Sequence, residues 1–172
     1  MTNGDEMLDF AKAHQKDLAA PHLDPRPRRK VAVLTCMDTR LEVERILGLN
    51  RGDAHIIRNA GGLVTDDAIR SLSISQRILG TAEIVVVMHE DCGLQGTSEE
   101  DLASALATNG KPPTWPVGAF KDLEKTLIGS LRTLRSSVHL VSRDAIRGFV
   151  FDPDTGTLHE VELDETAASI SD

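Results

Sequence analysis

Two short runs of β-branched and aliphatic residues limit the folds that this sequence can adopt. One run covers Lys30–Thr35 and the other covers Glu83–Met88, and in both the apolar side chains follow one another without polar alternation. Such a strand is buried on both faces, which is typical of a parallel sheet covered by helices. Each run leads directly into a side chain that can bind a metal, Cys36 after the first and His89 after the second.

The segments around these two runs alternate between helical and strand patterns. Helices are predicted over Leu41–Leu47, Thr65–Gly80, Thr97 to about Thr108, and Phe120–Leu134. Further strands are predicted at Ala54–Arg58, Arg147–Phe151 and Thr157–Leu163. Strands that alternate with helices pair in parallel through right-handed crossovers. The predicted fold class is therefore α/β, with a mainly parallel sheet flanked by helices and a C-terminal strand pair.

A helix is also predicted near the N-terminus, over Glu6–Ala19, and a connector rich in proline follows it. Its apolar residues are irregularly spaced, which is compatible with packing on a partner subunit rather than on the core of its own chain. The length of 172 residues suits one domain. We divide this domain into the N-terminal helix and connector at 1–29, an α/β core at 30–163 and a tail at 164–172.

Composition and charge argue against several classes of protein. The formal net charge of -8 opposes nucleic-acid binding, because that affinity comes mainly from Lys and Arg. The basic cluster Arg26–Lys30 is interpreted as a solvated turn, with a binding patch as the alternative. No apolar run is long enough to cross a bilayer and no signal peptide is recognised, so we expect no membrane association and a cytoplasmic location. The two cysteines are too few for a disulfide framework and are expected to be reduced.

Three residues with metal-binding side chains are expected to meet at one edge of the sheet. Cys36 and His89 each follow a predicted parallel strand by one residue, and Cys92 comes three residues after His89. Because ligands bind beyond the carboxyl ends of parallel strands, these side chains are predicted to share one Zn²⁺ per chain. Three protein ligands leave a fourth position for water, whose pKa zinc lowers to about 7. The alternatives are thiols that only fill space in the core and a Cys36–Cys92 disulfide.

A carboxylate and a guanidinium follow Cys36 closely, at Asp38 and Arg40. Asp38 either fills the fourth zinc position or pairs with Arg40 and accepts a hydrogen bond from a zinc-bound hydroxide. An ordinary surface ion pair is the alternative interpretation. Asp91 lies between His89 and Cys92, and it is predicted either to support the metal site or Arg40, or to cap a turn.

Three motifs in this order resemble those of the β-class carbonic anhydrases: Cys36-Met-Asp-Thr-Arg40, Arg58-Asn-Ala-Gly61 and His89-Glu-Asp-Cys92-Gly93. The likeness runs from about residue 31 to residue 93, and the segment 148–162 is similar too. It implies that Cys36, His89 and Cys92 are the zinc ligands and that Asp38 and Arg40 are catalytic. The implied reaction is the reversible hydration of CO2 to bicarbonate by zinc-bound hydroxide. The implied assembly is a homodimer or larger homo-oligomer, in which the N-terminal helix reaches a neighbouring subunit.

The resemblance leaves the substrate open, because relatives in the same compact bacterial and archaeal branch hydrolyse carbonyl sulfide or carbon disulfide. An apolar pocket would make that choice, and we predict that it contains Gly61, Gly62, Val64, Gly93 and Leu94. The chain has no tyrosine, so the Trp-Arg-Tyr bicarbonate site of some bacterial members is absent in that form. A third hypothesis is a non-enzymatic module, either a zinc-stabilised interaction domain or a redox switch through the two thiols.

Overall fold

The computed structural model describes residues 2–163, whose strands form one five-stranded sheet in the order β2-β1-β3-β4-β5. The strands are β1 (Val31–Cys36), β2 (Ala54–Asn59), β3 (Glu83–His89), β4 (Ile146–Phe151) and β5 (Leu158–Val161). Paired neighbours from β2 through β4 are parallel, and β5 is antiparallel to β4. The predicted α/β class and the C-terminal strand pair are therefore confirmed. The predicted tail at 164–172 lies outside the described residues.

Helices precede, connect and cover these strands. In the described residues they are α1 (Asn3–Ala13), α2 (Gln15–Leu18), α3 (Val43–Ile46), α4 (Asp66–Arg77), α5 (Glu99–Ala105) and α6 (Leu123–Ser136). The side chain of Thr65 accepts a hydrogen bond from the backbone amide of Ala68 at 3.2 Å, which confirms the predicted start of α4. Within residues 2–163, no helix combines the length and apolar character that a bilayer span requires.

The N-terminal helix begins earlier than predicted and is interrupted at His14. Thr2 and Asp5 form a capping box in which each side chain accepts a hydrogen bond from the backbone amide of the other, at 3.3 and 2.8 Å. This cap starts α1 at Asn3 rather than at Glu6. Neither α1 nor α2 buries any residue against the rest of the chain.

Other helix boundaries differ from prediction because the capping residues differ. Ser98 rather than Thr97 caps α5, with its Oγ accepting from the backbone amide of Asp101 at 3.1 Å. Asp122 caps α6, so Phe120 lies outside that helix and its backbone instead bridges to Gln95. The helices α3 and α5 are also shorter than predicted.

The two aliphatic runs form the centre of the sheet. Every residue of β1 after Val31 is buried, and α4 packs on β1 and β2 while α6 packs on β3 and β4. Gly148 of β4 lets α6 approach closely, because a Cβ at that position would lie 2.7 Å from Cδ1 of Leu131. This packing fixes the carboxyl ends of β1 and β3 next to each other.

The basic cluster before β1 is tied to a buried carboxylate. Arg28 donates to Asp53 Oδ1 from Nε at 3.0 Å and from Nη2 at 2.8 Å, and Arg29 Nε lies 3.5 Å from Asp53 Oδ2. Two of the four basic side chains of the cluster are therefore paired within the chain. The arrangement favours the interpretation as a turn over that of a nucleic-acid patch.

Candidate metal centre

The three predicted metal ligands come together at the carboxyl edge of the sheet. Their ligand atoms, the sulfurs of Cys36 and Cys92 and a ring nitrogen of His89, all lie within 4.8 Å of one another. All three residues are buried, with exposed fractions of 4%, 6% and 0% respectively. Cys36 and His89 are the last residues of their strands rather than the first after them, because strand pairing extends to Asn59 and Phe151.

The His89 ring is oriented for metal binding through one nitrogen. Nδ1 donates a hydrogen bond to the carbonyl oxygen of Glu90 at 2.8 Å, which leaves Nε2 as the unprotonated nitrogen of the neutral ring. Nε2 is buried and has no hydrogen-bond partner among the described residues. A buried polar atom without a partner is costly, and a cation beside the two sulfurs would satisfy it.

The two thiols differ in how readily they ionise. Burial raises the pKa of Cys36. The neighbouring His89 ring and the backbone amides of Asp38 and Gly61 lower this pKa by more than burial raises it, so that it is about 7. Burial raises the pKa of Cys92, and only the Leu94 amide among its hydrogen bonds opposes that effect. Two adjacent thiolates in a buried site require a cation, and two sulfurs with one imidazole suit zinc better than magnesium or calcium. The residues therefore fit a zinc ion.

Asp38 is paired with Arg40 beside these ligands. Its Oδ1 accepts from Arg40 Nε at 3.0 Å and from the Arg40 backbone amide at 2.9 Å, and its Oδ2 accepts from Nη2 at 2.9 Å. These hydrogen bonds hold the pKa of Asp38 well below its usual range, so the carboxylate stays ionised. Asp38 Oδ2 lies 3.9 Å from His89 Nε2. The predicted pairing of Asp38 with Arg40 is therefore present.

Asp91 fixes the other side of the Arg40 guanidinium. Arg40 Nη1 donates to Asp91 Oδ2 and Arg40 Nη2 donates to the Asp91 carbonyl oxygen, both at 2.9 Å. Asp91 adopts a φ of +55°, a strained value for a residue with a side chain. The predicted support of Arg40 by Asp91 is therefore present, and it links the Cys36 turn to the His89–Cys92 turn.

Arg58 holds the turn after Cys36, a role that the sequence analysis missed. Its Nε donates to the Cys36 carbonyl oxygen at 3.0 Å and its Nη2 donates to the Asp38 carbonyl oxygen at 2.6 Å. Arg58 lies on β2, one residue before the partner of Cys36 in the strand register. The sequence motif contained Arg58, but only the register brings its side chain to this turn.

The turn after β2 requires glycine because it passes very close to β1. Gly61 and Gly62 have φ values of +77° and +65°. A Cβ at Gly62 would lie 3.0 Å from the Cys36 backbone nitrogen. The turn therefore lies directly against the end of β1, where Cys36 is located.

An apolar cavity of about 700 Å³ lies beside the glycine turn. Val64 lines it, together with Leu63 and the loop around Val117. The other predicted pocket residues lie elsewhere around the site. Gly61 packs against Leu94, Gly62 packs against the end of β1, and Gly93 is exposed.

Comparison with known proteins agrees with this fold and site. A family model described as carbonic anhydrase matches residues 31–111. Beta-carbonic anhydrase 1 of Mycobacterium tuberculosis is 42% identical over 155 residues, covering 90% of this chain and 92% of that protein. A carbon disulfide hydrolase of an Acidianus species is 44% identical over 110 residues, covering 63% of this chain and 54% of that enzyme. The crystal structure of a carbonic anhydrase from Streptococcus mutans, 40% identical, superposes with a TM-score of 0.83 and covers 94% of this chain and 99% of that one. The chain belongs to the β-carbonic anhydrase family.

Proposed function

We propose that this protein catalyses the reversible hydration of CO2 to bicarbonate and holds one zinc ion per chain with Cys36, His89 and Cys92. The observation that carries the proposal is the convergence of two sulfurs and a His89 ring nitrogen within 4.8 Å. In addition, the buried His89 Nε2 has no hydrogen-bond partner among residues 2–163. The relatives named carbonic anhydrase, at 42% and 40% identity, support the same reaction. A zinc ion in such a site supplies Lewis-acid chemistry that makes water nucleophilic at neutral pH.

The residues around the ligands orient the reacting water. Asp38 is ionised and its Oδ2 is 3.9 Å from His89 Nε2, so this oxygen accepts a hydrogen bond from water that reacts at the centre. When a hydrogen of that water is bonded to Asp38, a lone pair of the water oxygen is directed at CO2. Arg40 keeps Asp38 in place, and Asp91 keeps Arg40 in place. The cavity at Leu63 and Val64, whose lining surface is mostly apolar, offers an uncharged substrate a binding surface beside the glycine turn.

A sulfur analogue of CO2 is the second candidate substrate. The carbon disulfide hydrolase of Acidianus shares 44% identity over 110 residues, a level similar to that of the carbonic anhydrases. The same metal ligands serve either substrate, and the lining of the cavity would decide between them.

A direct comparison of substrates tests the proposed reaction. We expect stopped-flow measurements with a pH indicator to detect rapid CO2 hydration, and sulfide release from carbonyl sulfide or carbon disulfide to be at least about a hundredfold slower in kcat/KM. The zinc-free protein, prepared with a chelator, is the control for both assays. Faster sulfide release than CO2 hydration would reverse this choice of substrate.

We also propose a homo-oligomer in which α1 packs on a neighbouring subunit, in the cytoplasm, where the thiols stay reduced. Met7 and Phe10, three residues apart on α1, have exposed fractions of 71% and 60%. A helix with its apolar residues in water gains stability by burying them, and a second copy of the chain offers the same face.

The assembly is tested by removing the apolar character of α1. We expect the parent protein to sediment as a dimer or larger species and a variant with both Met7→Lys and Phe10→Lys to sediment as a smaller one, because each change puts a charge in the interface. Val138→Lys, at an equally exposed apolar position far along the chain, serves as the control. A parent protein that is monomeric at micromolar concentration would contradict the proposal.

A further inference from the structure

Glu99, the first residue of α5, binds three consecutive backbone amides of a loop distant in sequence. One carboxylate oxygen accepts from the amide of Val117, and the other accepts from those of Gly118 and Ala119, both at 2.9 Å. These hydrogen bonds, with Ala119 foremost, lower the pKa of Glu99, so the carboxylate is ionised at neutral pH. Three charge-assisted bonds make Glu99 a firm anchor for this loop.

The anchored loop forms one wall of the apolar cavity. Trp115, Val117 and Gly118 of the loop line it together with Leu63 and Val64. In the described part of the chain, residues 112–116 make no hydrogen bond of their own. The bonds from Glu99 to residues 117–119 are therefore the first side-chain contacts that hold the loop after Trp115.

Gly118 connects this anchor to the metal centre. It has a φ of +88°, and a Cβ at this position would overlap the Leu63 side chain. Leu63 in turn packs on Gly61, where a Cβ would lie 3.1 Å from Leu63 Cγ. Gly62, the next residue of this turn, passes so close to β1 that a Cβ there would lie 3.0 Å from the Cys36 backbone nitrogen. The position of the loop thus limits where the Leu63 side chain can lie against the glycine turn.

We propose that Glu99 is a positioning residue for substrate binding: it holds Val117 to Ala119 so that the loop and Leu63 form a wall of the apolar pocket beside the glycine turn that follows β2. This inference rests on the proposed function, because the pocket is taken to bind CO2 or its sulfur analogue. Glu99 acts through the loop and does not contact the predicted zinc ligands.

The variant Glu99→Gln tests the role in binding. Glutamine has the same size as glutamate, but its amide nitrogen cannot accept a hydrogen bond. At least one of the three hydrogen bonds from the loop amides is therefore lost. If the loop is held less firmly, the pocket binds the ground state and the transition state more weakly by the same amount. We therefore expect KM for CO2 to rise about tenfold while kcat and zinc content change less than about twofold. A merely destabilised protein would instead lose active fraction, lowering kcat with KM unchanged, and that result would overturn the proposal.

The only tryptophan of the chain gives a second readout that is independent of activity. Trp115 lies in the anchored loop, so we expect Glu99→Gln to increase the fast, nanosecond component of its fluorescence anisotropy decay by about twofold. Glu100→Gln is the matched control, because Glu100 is also exposed in the first turn of α5 and its side chain makes no hydrogen bond within residues 2–163. An unchanged decay in Glu99→Gln would overturn the proposed anchor. A parent protein that turns over neither CO2 nor its sulfur analogues would instead refute the proposed function, whatever the decay.

Discussion

The variant His89→Ala is expected to lose both its zinc and its activity. The ring is fully buried, its Nδ1 is committed to the Glu90 carbonyl, and its Nε2 faces the two sulfurs. Alanine leaves only the two thiols as donors. Because the loss of an outer-sphere partner already lowers zinc affinity by about 10- to 100-fold, the loss of a ligand should lower it further. We expect elemental analysis to find about one zinc per parent chain and less than about 0.1 per variant chain, with CO2 hydration at background.

The control variants separate ligand loss from loss of the fold. Alanine at a fully buried position also creates a cavity, which destabilises the core. Cys92→Ser replaces one atom only, and we expect it to lose zinc as well. His22→Ala, at an exposed histidine, should keep the metal and the rate of the parent. Zinc at the parent level in both His89→Ala and Cys92→Ser would contradict the assignment of these ligands.

The variant Asp38→Asn is expected to keep its zinc and lose most of its turnover. Asparagine has the shape of aspartate, but it lacks the charge that Arg40 pairs with, and it presents a donor where Oδ2 accepts. Water reacting at the centre would then lose the acceptor that orients it. Since positioned proton acceptors contribute about 10²- to 10⁴-fold, we expect kcat to fall by about a hundredfold or more, measured by stopped-flow CO2 hydration with zinc content determined in parallel.

Asp91→Asn is expected to lower turnover less than Asp38→Asn does. Asp91 contacts Arg40 rather than the metal ligands, and its carbonyl bond to Arg40 Nη2 survives the change. We therefore expect a loss of about tenfold or less in kcat. Loss of zinc in Asp38→Asn would place Asp38 among the metal ligands, the alternative role. Full turnover in that variant would remove Asp38 from the mechanism.

The sequence by itself determined the class of fold and the chemistry of the centre. Uninterrupted aliphatic runs require burial on both faces, and this burial predicts parallel strands whose carboxyl ends meet at one edge. The side chains at the ends of β1 and β3 then predict a shared metal ion. Cys36 and His89 are therefore predictable as metal ligands from their positions at the ends of these strands. Asp38 and Arg40 are close in the chain, and their pairing was predictable from that spacing alone.

Only the tertiary structure decided how these groups are held. Arg58 reaches the turn after Cys36 through the register of β1 and β2, and Arg40 reaches Asp91 across 51 positions of sequence. Glu99 binds amides 18 to 20 residues away, in a loop without a pattern of its own. Local propensity and periodicity describe neighbours along one element, whereas these contacts depend on turn geometry and on the reach of long side chains between elements. Those distances exist only after the chain has packed.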